Sequence, residues 1–191
     1  MFKHIDIVHT KVVKYAVNIL KDGGVIIYPT DTLYGFGVDA TNVWAIDKIN
    51  RFKGRSGPMS VIAADKMMAI NWMDIEDEQI EGVKPYLGGA QTLIAPVKPN
   101  IVSIKILGES NSLGIRIPNS KFCNDLASQF GKPIVSTSVN RTGKQPMSDT
   151  FQIESEFSSE IDLLIDGGTL PKSMGSTIYK FIDGKIIILR K

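Results

Sequence analysis

The sequence predicts a single α/β domain over residues 1–191, built on a twisted, mixed β-sheet with helices packed against it. Three observations lead there. Short apolar runs of strand length, such as Val25-Ile26-Ile27-Tyr28, alternate along the chain with stretches whose apolar residues recur at helical spacing. Two of the strands empty abruptly into loops of hydroxyls, amides and glycine, and mixed sheets place ligands beyond such strand ends. The composition, 43% hydrophobic and 22% charged, suits one sizeable core.

Thr10 is the candidate cap of a first helix, in which Val12, Val13, Ala16, Val17, Ile19 and Leu20 share a face and Gly23-Gly24 ends the run. A buried strand over 25–28 follows. Residues 29–37 read as an ordered loop, because Leu33, Tyr34 and Phe36 sit among Pro29, Gly35, Gly37 and small hydroxyls. Asn42 caps a second helix with Ala45, Ile46, Ile49 and Phe52 buried. A strand over 59–64 comes next, then a short helix capped by Asp65.

Residues 76–87 are acidic and loosely helical, and 88–92 form a flexible turn into a strand over 93–96. The stretch 100–111 reads as a hairpin or irregular insert. Leu113, Ile115 and Ile117 alternate with Gly114 and Arg116, so this strand has one apolar face and projects Arg116 from the other. Asn119 or Ser120 caps a helix that buries Phe122, Leu126, Ala127 and Phe130 and stops at Gly131. After a strand at Ile134 and Val135, Pro146 and Ser148 open a helix to about Phe157, and a strand covers 161–165. Asp183-Gly184 between two apolar runs signals a closing hairpin.

Charge and cysteine content narrow the function. The 22 basic residues nearly match the 20 acidic ones, and a net charge of +2 does not mark a nucleic-acid binder. Cys123, the single cysteine, excludes an intramolecular disulfide and a cysteine-cluster metal site, and beside Phe122 and Leu126 it reads as a core thiol. No signal-like apolar block or run of membrane-span length occurs, so a cytoplasmic protein without membrane contact is expected.

Three groups of residues can carry chemistry. Lys53-Gly54-Arg55 places two cations on a glycine-containing loop, either complementing a helix dipole or clamping phosphate. Ser136-Thr137-Ser138-Val139-Asn140 either satisfies its own turn or lines a site, and Ser138 and Asn140 point the same way if extended geometry persists through Val139. Arg116 is either a surface residue or a ligand for carboxylate or phosphate.

In series, Tyr28-Pro29-Thr30-Asp31-Thr32-Leu33-Tyr34-Gly35, Lys53-Gly54-Arg55, Gly114-Ile115-Arg116-Ile117-Pro118, the 133–140 stretch and Gly175-Ser176-Thr177-Ile178 resemble the YrdC/TsaC family over nearly the whole chain. The resemblance implies the YrdC-like α/β twist and an L-threonylcarbamoyladenylate synthase, which turns L-threonine, bicarbonate and ATP into threonylcarbamoyl-AMP and pyrophosphate. It assigns Lys53, Arg55, Ser138 and Asn140 as a catalytic tetrad. Arg55, Ser112, Ser138, Pro146 and Arg190 would serve ATP, and Thr32, Arg116, Ser136 and Ser176 would serve L-threonine. Mg²⁺ would arrive with ATP, without a metal site of the protein's own.

The product would pass to a separate threonylcarbamoyl transferase that modifies tRNA beside the anticodon, with a tRNA contact by this chain as a further implication. The chain resembles the short, single-domain form. It departs from the family at Gly88-Gly89-Ala90-Gln91-Thr92 and in a shortened 55–59 loop. Two alternatives share the fold: a double-stranded RNA or tRNA-binding module without synthase activity, and a carbamoyl-adenylate transfer domain as in hydrogenase-maturation proteins. A missing aromatic stacking platform argues against the first, and missing zinc-finger cysteines against the second.

Overall fold

In a computed structural model, which describes residues 2–191, the alternation of apolar runs and helical stretches resolves into ten strands and six α-helices among the described residues. The strands are β1 (Lys3–Asp6), β2 (Ile26–Pro29), β3 (Tyr34–Gly37), β4 (Ser60–Ile62), β5 (Gln91–Pro96), β6 (Ser112–Arg116), β7 (Ile134–Ser138), β8 (Leu163–Asp166), β9 (Thr177–Ile182) and β10 (Lys185–Arg190). They form one sheet in the order β1-β8-β2-β3-β7-β4-β6-β5-β9-β10. Neighbours are parallel at β1/β8, β8/β2, β4/β6 and β5/β9, and antiparallel elsewhere, which is the mixed sheet expected.

Side-chain alternation divides the sheet into two faces. In the β4/β7 pair, Val61 stands opposite Val135, while Ser60–Ser136 and Ile62–Ile134 are the flanking pairs. Val61 and Val135 therefore share one face, and Ser60, Ser136, Ile62 and Ile134 the other. The first face is apolar at its centre: helices α2 (Val43–Lys53) and α6 (Thr150–Phe157) bring Ile46, Ile49 and Phe157 onto it. Phe157 meets Phe36 edge-on with ring centroids 5.1 Å apart, and truncating so buried a ring to alanine costs about 3–5 kcal/mol. The second face is covered over only part of its length. Helices α1 (Val12–Lys21) and α5 (Lys121–Phe130) seal Ile26, Tyr28, Ile62 and Ile134 beneath Leu20, Phe122 and Leu126. Beyond them the same strands show Ser60, Ser136 and Ser138.

Local signals account for most helix ends. Asn42 accepts the Ala45 N–H (3.1 Å), Asp65 the Met68 N–H (2.8 Å) and Ser120 the Cys123 N–H (3.4 Å), while Gly54 and Gly131 close α2 and α5 in the left-handed region. Thr10 is not a cap: α1 starts after Lys11 with no side-chain cap. The last helix, α6, starts at Thr150 under Asp149, which accepts the Gln152 N–H at 3.0 Å, rather than at Pro146. The short α3 (Lys66–Trp72) and α4 (Asp77–Val83) lie where expected.

Strands fared less evenly. The stretch read as a loop contains β3, whose alternate residues Gly35 and Gly37 erase one half of a strand pattern. Strand β1 was not foreseen, since Lys3-His4-Ile5-Asp6 has one aliphatic residue; parallel pairing with β8 holds it, along with His4, which bridges Glu154 (2.7 Å) and Asp166 (2.9 Å). Residues 100–111 are irregular, with two short 3₁₀ turns and no hairpin. Among the described residues no helix is long and apolar enough to cross a membrane.

Candidate active site

The uncovered half of the second face becomes a cavity because its residues are small. Ser136, Ser60 and Gly114 stand side by side on β7, β4 and β6, and Ser138 pairs with Gly35 of β3. A Cβ at Gly114 would approach Ser60 Oγ to 2.5 Å and Thr92 Cγ2 to 3.3 Å, so the floor tolerates nothing larger there. The cavity measures about 260 Å³. Of the residues expected from sequence, Thr32, Arg55, Arg116, Ser136, Ser138, Pro146, Ser176 and Arg190 line it.

Two strand exits supply the walls. After β2, Thr30 Oγ1 accepts the N–H groups of Thr32 (3.1 Å) and Leu33 (3.2 Å) and donates to Leu33 O (2.7 Å), folding a turn that holds Thr32 at the cavity. Across the floor, Ser176 Oγ lies 2.6 Å from Thr92 Oγ1, both side chains being buried. Arg190 donates from Nε (3.2 Å) and Nη2 (2.8 Å) to the Ser176 carbonyl, pinning the 175–176 segment. Ser60 and Thr92 also line the cavity, and no motif in the sequence singles them out. Strand register is what brings them beside Ser136 and Ser176; the local signal is only that Ser60 is the single polar residue in the apolar run 59–64.

Lys53, Asn140 and Ser112 do not line this cavity. Lys53, the last residue of α2, is 3% exposed, and its ammonium donates to Ser138 O (2.6 Å), Asn140 O (3.2 Å) and Asn140 Oδ1 (3.0 Å). An ammonium has three protons, and all three have protein acceptors. Burial, with the nearby charge of Arg55 adding to it, lowers the Lys53 pKa to about 8.

Asn140 completes this hub. Its Oδ1 also accepts from Ser138 Oγ (2.6 Å), and its Nδ2 donates to Arg141 O (2.9 Å) and Lys144 O (2.8 Å). The Ser138 and Asn140 side chains thus meet each other, but not through the extended backbone on which the expectation of a shared ligand depends. Extended structure ends at Ser138, and the Asn140 side chain turns back to bind the loop that follows. Ser112 lines a neighbouring cavity of about 430 Å³ with Met59, Ile94 and Leu189, which meets the first at Ser60 and Ile178.

Arg116 comes off the polar side of β6 as its alternation predicts, but it is buried rather than exposed. Its Nη2 donates to Asp31 Oδ1, whose partner oxygen accepts the Asn119 N–H at 2.9 Å. The Arg116 Nε is buried without a hydrogen-bond partner among the described residues. With Arg55, Arg116 and Arg190 on its walls and no carboxylate among its lining residues, the cavity can take anions at more than one point, and the hydroxyls around them can orient neutral groups. No cluster of three His, Cys, Asp or Glu side chains suited to a metal occurs among the described residues.

A family model described as Sua5/YciO/YrdC, telomere recombination, matches residues 18–191. A protein from Methanocaldococcus jannaschii with the name "Putative threonylcarbamoyl-AMP synthase" is 31% identical over 183 residues, which cover 95% of this chain and 86% of that one. Escherichia coli YciO superposes with a TM-score of 0.86 at 25% identity, over 100% of this chain and 96% of YciO. Sua5 of P. abyssi, solved with L-threonine, gives a TM-score of 0.84 at 23% identity; this chain spans 57% of its length.

Proposed function

The chain belongs to the Sua5/YciO/YrdC family, and from that premise we propose that it is an L-threonylcarbamoyladenylate synthase. The observation that carries the reading is the cavity itself: three arginines and a hydroxyl-rich floor around one cleft. The reaction needs such a space. Threonine takes up carbon dioxide from bicarbonate on its amino group, a carbamate oxygen attacks the α-phosphorus of ATP, and the bond to pyrophosphate breaks. Two anions have to be held together, and the charge on the departing pyrophosphate neutralised.

In this reading Arg116 takes the threonine carboxylate, while Thr32, Ser136 and Ser176 surround the rest of the amino acid. Arg55 and Arg190 act on the phosphates, with Ser138 and Pro146 beside them and Ser112 in the adjoining cavity toward the nucleoside. Lys53 and Asn140 serve by fixing the Ser138 end of β7. Magnesium would come with the triphosphate and supply further charge neutralisation; the guanidinium and hydroxyl groups lining the cavity are no cage for a hard cation. The product is a reactive mixed anhydride for a separate transferase, which carries it to the adenosine beside the tRNA anticodon. The activity named for the M. jannaschii relative supports the reading, as does the L-threonine solved with a Sua5 of the same fold.

The test is pyrophosphate release from ATP and bicarbonate with L-threonine, L-valine or no amino acid, with the adenylate product identified by mass. Release is expected with threonine and little with valine, because a site built for a hydroxyl rejects an apolar isostere that leaves its polar groups unpaired. Release independent of the amino acid defeats the assignment.

A further inference from the structure

Arg55, Arg116 and Arg190 face one cavity, so positive charge alone does not direct a carboxylate to one end and a polyphosphate to the other. The three differ in what already rests on them. Arg55 makes no side-chain hydrogen bond or ion pair among the described residues, and Arg190 donates to a neutral carbonyl. Arg116 alone is joined to a carboxylate, Asp31, and the two side chains are only 9% and 13% exposed. That carboxylate is fixed as well, because its other oxygen accepts the Asn119 N–H at 2.9 Å. Asp31 lies in the turn that presents Thr32, so the pair also ties that turn to the end of β6.

We propose that Asp31 sorts the anions inside the cavity: it neutralises Arg116 so that this end accepts the carboxylate of a zwitterionic amino acid, leaving phosphate groups to Arg55 and Arg190. The physical basis is local charge balance. A phosphate on Arg116 would bring two or more negative charges beside Asp31 in a shielded site, where like charges repel far more than in water. A zwitterion brings one negative charge and its own ammonium. The protein does not use up this guanidinium: Arg116 Nε has no hydrogen-bond partner among the described residues. Asp31 is therefore a positioning residue for specificity, and the inference rests on the threonine reading of the Arg116 end.

Calorimetric titration of L-threonine and inorganic pyrophosphate, singly and together, tests it without turnover. In the unmodified protein the two ligands are expected to bind independently. In Asp31→Asn, which keeps the side-chain size and an acceptor for Asn119, saturating pyrophosphate is expected to weaken threonine binding by about tenfold, since phosphate now enters the Arg116 end. Competition in the unmodified protein overturns the proposal, and needs no variant to be seen. Independent binding retained in Asp31→Asn overturns it too, with the threonine reading intact. Pyrophosphate binding without any threonine binding in the unmodified protein removes the proposed function, and the sorting role with it.

Discussion

Lys53 and Arg55 flank Gly54, yet the structure treats their charges in opposite ways. The lysine ends α2, is turned inward, and commits each of its protons to the end of β7. The arginine, past the left-handed glycine, is exposed at the cavity with no partner of its own among the described residues. A Lys-x-Arg motif suggests two equivalent phosphate ligands. Here, among the described residues, it yields one cation bonded to the protein and one without a protein partner at the cavity.

The largest effect that could break this contrast is on turnover. Arg55→Ala is expected to lower pyrophosphate release by about 10²–10³-fold with an unchanged melting temperature, because in the proposed reaction the group acts on developing charge, and its side chain has no protein partner among the described residues. Lys53→Met should show the mixed phenotype: turnover falls as the Ser138 end loosens, and stability falls by about 1 kcal/mol, the loss of a donor to buried acceptors being partly offset by relief of the buried charge, measured by denaturant unfolding. Equal melting temperatures for the two variants would erase the distinction drawn between them.

A smaller effect on turnover is expected at Asn140, which shares the hub without a charge. Asn140→Ala should cost about 1–3 kcal/mol of stability, read from the unfolding midpoint, and reduce turnover less than Arg55→Ala does. An intact midpoint with turnover as low as that of Arg55→Ala would make Asn140 a ligand of the substrate instead.

The pH dependence sharpens the comparison further. With its folded pKa near 8, against 10.5 for a free lysine, Lys53 sheds its proton in the native state first. Between those values the unfolded chain holds more protons, so stability rises with pH there, and the cost of burying the charge is fully present below pH 8. Turnover should instead decline through about pH 8 as the hub loses its charge. Lys53→Arg should abolish that limb, and Arg55→Ala should move it upward by removing the neighbouring charge. A limb that persists unchanged in Lys53→Arg belongs to another group.

The smallest expected effect is at Cys123, buried beside Pro29 with its thiol pushed up to about 12 by burial. A thiol reagent at neutral pH should leave the native protein unmodified and fully active, as assayed by mass and pyrophosphate release.

Much was legible along the chain because it is encoded locally. Helical spacing of apolar residues, caps at Asn42, Asp65 and Ser120, glycines after α2 and α5, and the Asp183-Gly184 turn each involve residues within a few positions of one another. The polar strand exits were legible for the same reason, since an apolar run that stops in hydroxyls is visible in one segment. By itself, then, the sequence determined the α/β class, most of the elements, and which segments would face a polar cavity. Tertiary structure decided the charges. Asp31 finds Arg116, and Lys53 finds Ser138 and Asn140, across 85 to 87 positions, and β1 becomes a strand only because β8 offers it an edge. Such pairings depend on how strands far apart in the chain align within the sheet, and no local pattern specifies whether a cation at a strand or helix end will be buried against a partner or left open to a ligand.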